Sequence, residues 1–551
     1  MEKKHPKNCN FKMLLLLLSV LLLPLSNTYS FTVDSNIKTT ALVNTDTNEI
    51  KTFLTRFHQN PNKVIKEKII KRNSKGDIIA DRNLTDEQIY TLSKIKYEFR
   101  NRLIEKKMNR KQNSINTFPE FNSINSAYLD DDLVDNIVYN RASIVRNIFD
   151  IDKTNLTKAQ LEVQPWSDDY WPFYKGVLAF RYADPNLESV EEDDKAWENY
   201  HKNFLKNPTS NYISSGKIDL LSPAEKYDLL VGDDEKFSMT KLMWEEGEEY
   251  YKSSGKVETW MGICHGWAVA SFMSPRPLNP VTVNSFNNKY KITFYPSDIK
   301  ALYSLFWANS NYPQYLIGGR CGLKEKDKEI KRDSTSGRIL DPECFDTNPG
   351  TWHMSVVNQL GVSKKSFIID AAYDYEVWNQ PMISYEYTYF NPENFENYND
   401  AKSATILLKE YTKDKFKSFR SVNAEYVVGI KMKITYGSET TPHHLNDSPT
   451  LDSLITASYI YDLELDKDGK IIGGEWYNDS HPDFLWTPDG EVKPYIILDK
   501  MISNKWNPLT ESLPANWAEY AKKASQFKIP LGRIIFALNA ASRNEKNYFE
   551  E

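Results

Sequence analysis

The chain has 551 residues, of which 40% are hydrophobic and 26% charged. That balance is ordinary for a globular protein and excludes a collagen, a disordered chain or a membrane transporter. The 33 Tyr, 26 Phe and 13 Trp also argue against disorder, since disordered chains are poor in aromatics. A formal net charge of −6 supplies no overall basic footprint, so nucleic acid is not an expected partner.

At the start, Lys3, Lys4, Lys7 and Lys12 precede an apolar run at 13–25 and the small residues Ser26, Thr28 and Ser30. This is the layout of a secretory signal peptide over 1–30. The run is shorter than the 18 or so residues that a membrane span needs, at about 1.5 Å of rise each. The expectation is export, to the periplasm or outside the cell, with no stable membrane insertion once the signal is cleaved. A short N-terminal anchor is the alternative. Losing 1–30 removes Cys9 and leaves Cys264, Cys321 and Cys344. An odd count in an exported protein points to one bridge and one free thiol. A Cys321–Cys344 bridge would close a charged insertion at 323–341, leaving Cys264 free. No C-x-x-C pair occurs, which argues against a structural zinc site.

Residues 31–160 form a basic, mainly helical N-terminal region. Its segment 51–111 carries seventeen Lys and Arg against seven Asp and Glu, a net of +10. Since the chain without its leader carries −9, the remainder carries −19. Such asymmetry favours docking of the arm on the body. One reading is a propeptide that covers an acidic face; the other is a solvated helical arm. The helical spacing of Ile89, Leu92, Ile95 and Phe99 suits both.

A catalytic domain is expected over 161–500, with a C-terminal extension at 501–551. Its start is marked by the aromatic stretch Pro165-Trp-Ser-Asp-Asp-Tyr-Trp-Pro-Phe-Tyr174. Helices are predicted near 194–205 and 222–231. In the second, Ser222 and Glu225 have capping-box spacing. Strands are predicted at 289–295, 353–360, 367–373, 425–436 and 458–466. Asp468-Gly469 between 460–465 and 471–476 predicts a hairpin. The same turn faintly resembles a calcium loop, but the later ligands and terminal Glu are missing.

Chemistry concentrates around Trp260-Met-Gly-Ile-Cys264-His-Gly-Trp-Ala-Val-Ala-Ser-Phe-Met273. The spacing of Cys264, Trp267, Ala268, Ser271 and Phe272 predicts a helix closed by Pro275, with Cys264 at its N-terminus. Unpaired amides there favour a thiolate and can bind an oxyanion. The alternative is a structural cysteine on a buried helix. His353 opens the predicted strand at 353–360, and Asp370 ends the run Phe367-Ile-Ile-Asp370. If these strands pair about the turn at 363–366, the imidazole and carboxylate are cross-strand neighbours. Cys, His and an acid in that order suit nucleophilic acyl chemistry. His265 is expected to point away from the pocket, because successive helical residues diverge by about 100°. His443, His444 and His481 read as surface or loop histidines rather than metal ligands.

The segment around Cys264 resembles the nucleophile motif of the transglutaminase elicitor family. The resemblance extends through Pro165-Trp-Ser-Asp-Asp-Tyr-Trp-Pro172, Ser222-Pro-Ala-Glu-Lys-Tyr-Asp-Leu-Leu-Val-Gly-Asp233, Glu376-Val-Trp-Asn-Gln-Pro381, Gly473-Gly-Glu-Trp-Tyr477 and His481-Pro-Asp-Phe-Leu-Trp486. It implies an α+β fold with a papain-like, transglutaminase-like core: a Cys-bearing helix on an antiparallel sheet bearing His and Asp. It also implies a triad of Cys264, His353 and Asp370. The implied activity is transfer of a protein glutamine's acyl group to lysine or another primary amine through a Cys264 thioester. Its partners are protein substrates. Trp260, Trp267 and Trp378 are candidate walls against water, or ordinary core residues. No metal or cofactor is required by the residues; calcium enters only by family analogy. After Pro381 the chain departs from the oomycete pattern, which bears on plant elicitation and not on catalysis. A cysteine protease or glutamine deamidase with the same triad is the nearest alternative, and a non-catalytic surface protein on the same fold is another.

Overall fold

The computed structural model describes residues 134–548 apart from 188–189, 191–192, 311, 320–330, 341–345, 373–375, 479–480, 495, 503 and 546–547. The signal sequence, the basic arm, Cys321 and Cys344 therefore lie outside the described residues.

The principal helices are α1 Ala196–Lys206, α2 Pro223–Leu230, α3 Ser238–Ser254, α4 Cys264–Met273, α5 Pro296–Asn309, α6 Pro349–Val356, α7 Ala515–Ser525 and α8 Gly532–Ser542. The strands are β1 Lys158–Gln160, β2 Val281–Asn284, β3 Lys291–Phe294, β4 Gln314–Gly318, β5 Ile368–Asp370, β6 Asn379–Phe390, β7 Asn397–Tyr398, β8 Ile406–Leu407, β9 Tyr426–Ser438, β10 Ser453–Leu465, β11 Ile471–Trp476 and β12 Phe484–Pro488. β2 and β3 pair alone, and the other strands form one sheet. Its main path is β11-β10-β9-β6-β5-β12-β4, antiparallel at each step. The mixed helix-and-antiparallel-sheet architecture is the expected α+β class.

Local chemistry accounts for several elements. Ser222 and Glu225 close the capping box of α2 in both directions. At the β10–β11 hairpin, Gly469 takes a φ of 83°, a region glycine enters at little cost. Asp466 accepts the backbone N–H groups of Asp468 and Lys470, both at 2.9 Å. That carboxylate is building a turn. Among the described residues no cluster of His, Cys, Asp and Glu is placed to hold a metal ion.

One expected strand is a helix. Asn348 accepts from the N–H groups of Gly350 at 2.8 Å and Thr351 at 3.4 Å, and Pro349 is at the first helical position. Asparagine before a proline is a helix start, and it overrides the β-branched Val356 and Val357 that favour a strand. The segment 353–360 therefore lies in α6 and the π-helical turn Val357–Val362.

Two cores flank the sheet. In β5, Ile368 joins one and Ile369 the other; in β12, Trp486 and Leu485 divide the same way. Neighbouring strand residues face opposite sides, so the two clusters lie on opposite faces. The first contains α4, α5 and the aromatic stretch, with Trp166, Trp171, Phe173 and Tyr174 all buried. The C-terminal region enters it too. Trp517, Ile534 and Leu538 pack there, and Leu531 N–H donates to Tyr227 at 2.8 Å. The second core holds α6 against β9, β10 and β11, together with Val134, Ile137, Val138, Ile148 and Ile151. Residues 134–160 thus complete the sheet, with β1 pairing on β6. No helix among the described residues is long and apolar enough to cross a membrane.

Candidate active site

Cys264 is the first residue of α4, which the sequence predicts, and it is only 5% exposed. Two glycines let the loop and helix seat closely. A Cβ at Gly262 would come within 2.6 Å of the Tyr170 carbonyl, and one at Gly266 would collide with the Ser304 carbonyl of α5. The loop is pinned from the aromatic stretch. Ile263 N–H donates to the Tyr170 carbonyl and Phe173 N–H to that of Met261, both at 2.8 Å. Trp171 holds a φ of 50°, uncommon for a bulky residue. Its indole is fixed to Asp168 at 2.9 Å.

Around the sulfur, the thiol donates to the Val377 carbonyl at 3.7 Å, and Asn379 Nδ2 donates to Sγ at 3.4 Å. Trp486 Nε1 donates to Asn379 Oδ1 at 2.7 Å. Asp370 is the direct cross-strand partner of Asn379. Its Oδ1 accepts the N–H of Trp378 at 2.9 Å and that of Ala372 at 3.2 Å, so it fixes the residue next to Val377, whose carbonyl accepts from the thiol.

Burial pushes the Cys264 thiol up to about 11; the hydrogen bonds from Asn379 oppose this, and the charges of Glu439 and Asp370 add to it. The expected thiolate is thus a neutral thiol in this conformation: desolvation, with two carboxylate charges adding to it, outweighs the hydrogen bonds from Asn379. Glu439 is itself raised by burial and takes hydrogen bonds from Gln380 at 2.7 Å and Ser438 at 3.0 Å. Asp169 is pushed by burial to about 6, with Lys175 opposing.

His353 is not brought to this site. It is fully buried in the core of the opposite sheet face, with Nδ1 2.8 Å from the Tyr461 hydroxyl and its ring 4.8 Å from that of Tyr387. Tyr387 is eight positions beyond Asn379 on β6, which at about 3.3 Å per residue is roughly 25 Å along the strand. The expected pairing of His353 with Asp370 across a hairpin is therefore replaced by Asp370 opposite Asn379, because the histidine is on a helix. Burial lowers the His353 pKa to about 3, so its imidazole is neutral.

The other expected residues divide. Trp378 is half-buried, beside Asp370 in sequence and space, edge-on to Tyr170 at 5.1 Å and bonded to Glu376 at 2.9 Å. Trp260 is 6% exposed and donates to Glu258 at 2.8 Å. Trp267 is wholly buried and donates to the Trp166 carbonyl at 3.1 Å, a core position. His265 points away towards Ala308, as helix geometry predicts, and burial lowers it to about 4. His443 and His444 are on a loop, His444 stacked on Tyr295 at 3.7 Å. His481 is on a loop but not at the surface: it is 5% exposed and stacked on Trp476 at 4.6 Å. Sequence reasoning missed Asn379 on the thiol, Trp486 behind it and the charge of Glu439 nearby. The first two fall within the quoted motifs ending at Pro381 and Trp486, where an amide beside a tryptophan was the available signal.

No curated protein matches the chain. Among solved structures, the GP42 transglutaminase from Phytophthora sojae is similar at 20% identity, covering 70% of this chain and 92% of that one, with a TM-score of 0.44. A model of the transglutaminase elicitor family matches residues 139–503, a span that contains Cys264, Asp370, Asn379 and Trp486, and the chain belongs to that family.

Proposed function

We propose that this protein is a secreted protein-glutamine γ-glutamyltransferase with Cys264 as nucleophile. The observation that carries the reading is the Cys264 sulfur at the first turn of α4, hydrogen-bonded by the amide of Asn379. Membership of the family supports it. The thiol attacks the side-chain carboxamide of a protein glutamine, ammonia leaves, and a lysine amine then takes the acyl group from the thioester. Trp378 and Tyr170 form the wall that limits competing attack by water. Asp370 holds the N–H groups of Ala372 and Trp378, and so the position of Val377 beside the thiol. His353 receives no step, since its ring is packed between Tyr387 and Tyr461.

Incubation with casein and a labelled primary amine tests this. Amine incorporation that vanishes in Cys264→Ala is the expected result. Peptide cleavage, or ammonia release without incorporation, would replace the transferase reading with protease or deamidase. A specific observation favours one other reading: no imidazole is hydrogen-bonded to the thiol among the described residues, and burial keeps the thiol protonated. A non-catalytic member of the family would show neither incorporation nor alkylation of Cys264.

A further inference from the structure

A carboxamide has a donor end and an acceptor end, and one hydrogen bond settles which end of Asn379 faces the sulfur. The Trp486 indole can only donate, and it donates to Oδ1 at 2.7 Å. The NH₂ group is thereby turned towards Cys264, 3.4 Å from Sγ. Both partners are almost fully buried, Asn379 at 6% and Trp486 at 6% exposed, so solvent offers no competing partner. They come from β6 and β12, the two strands that flank β5, which places the pair on either side of Asp370.

We infer that Asn379 is the side-chain half of an oxyanion hole, with the backbone N–H of Cys264 as the other half, and that Trp486 is the positioning residue that holds the amide in its donating orientation. The inference rests on Cys264 being the nucleophile. As the sulfur–carbon bond forms, the carbonyl electron pair moves onto oxygen, next to the sulfur. The N–H of the first helical residue has no intrahelical acceptor, and the Asn379 NH₂ can supply a second donor to that oxygen. When the pair returns, the carbon–nitrogen bond breaks and ammonia departs with the proton that began on the thiol. Thiol and carboxamide become thioester and ammonia, with nothing else consumed. A neutral amide suits this position better than Asp370, whose charge would repel the oxyanion.

Two reactions of the same thiol separate this role from simple tuning of the sulfur. Acylation by p-nitrophenyl acetate passes through an oxyanion; alkylation by iodoacetamide does not. In the purified full chain, Asn379→Ala removes a hydrogen bond that lowers the thiol, so alkylation slows too, and acylation should slow about 100-fold more than alkylation at the same pH, the scale of losing one oxyanion donor. Trp486→Phe keeps the ring and removes the N–H; it should slow acylation about tenfold and add nothing in the Asn379→Ala background, as expected for residues acting as a unit. If Asn379→Ala fails to fold, Asn379→Ser and Trp486→Phe carry the comparison. Equal slowing of both reactions, unchanged acylation, or a wild-type thiol that alkylates but never acylates would each overturn the inference. A chain that acylates in this pattern but incorporates no amine would instead remove the transglutaminase reading and leave the oxyanion hole standing.

Discussion

Asp370 and Asn379 face each other across β5 and β6 on the side of the sheet that meets Cys264. The carboxylate accepts the Trp378 N–H and raises the thiol, while the amide donates to the sulfur and lowers it. Two adjacent side chains thus act in opposite senses on one nucleophile.

Replacing Cys264 by alanine should abolish amine incorporation and leave the fold. Alanine is the best helix former, and losing one buried sulfur leaves only a small cavity, worth about 1 kcal/mol. Activity and thermal midpoint measured together check this. Residual incorporation above a few per cent would mean that another group is the nucleophile.

Alkylation of Cys264 should be slow at neutral pH and rise about tenfold per pH unit towards its value of about 11, because only the thiolate reacts. Asp370→Asn removes one of the charges that raise the thiol, so it should label faster than wild type at pH 8. A mass-spectrometric time course of iodoacetamide adducts measures both. A pH profile that levels off near 7 would contradict the closed, desolvated site.

His353→Phe keeps a ring in the core and takes the imidazole from the Tyr461 hydroxyl, which retains the Met432 sulfur at 3.7 Å, costing about 1 kcal/mol without a matching loss of activity per folded molecule. The pH dependence gives a second readout. His353 and His265 are held near 3 and 4, below the usual 6.5. Their contribution is complete above about pH 6.5 and is lost as pH falls through that window, at up to about 1.4 kcal/mol per unit per group. Asp228 and Glu475, each raised to about 8 by burial, act in the opposite sense. The comparison is therefore wild type against variant: stability should fall less between pH 6.5 and 4 in His353→Phe. Loss of all incorporation at an unchanged thermal midpoint would show that the histidine reaches Cys264 during catalysis.

A truncation that removes 134–160 should destabilise the fold. Val134, Ile137, Val138, Ile148 and Ile151 are buried in the second core, and β1 pairs with β6. Each such side chain is worth about 1.5–3 kcal/mol when fully buried. If the basic arm is a propeptide, the cleavage that releases it is thus expected before Val134. Two chains starting at 134 and 161, compared by thermal melting, decide it. Equal stability would show that 134–160 is dispensable.

Local signals were readable in the sequence because they act over a few residues. The capping pair Ser222 and Glu225, the Asp468-Gly469 turn, the strands around Ile292, Ile369, Val428 and Leu463, and the placement of Cys264 at a helix start all follow from periodicity, capping and turn chemistry. The start at Asn348-Pro349 was equally local, and the β-branched run behind it obscured the helix. What no local pattern carries is which strand lies beside which. β5 is joined to β12 more than a hundred residues later and to β6 through Asn379. That pairing brings Trp486 to Asn379, whose amide reaches the sulfur, and packing of α6 on the other face keeps His353 away from it. The protonation of Cys264 was decided at the same level: a helix N-terminus alone lowers a thiol's pKa, but burial of this one, with the charges of Glu439 and Asp370 adding to it, raises it, because desolvation depends on everything packed around the atom and not on its neighbours in the chain.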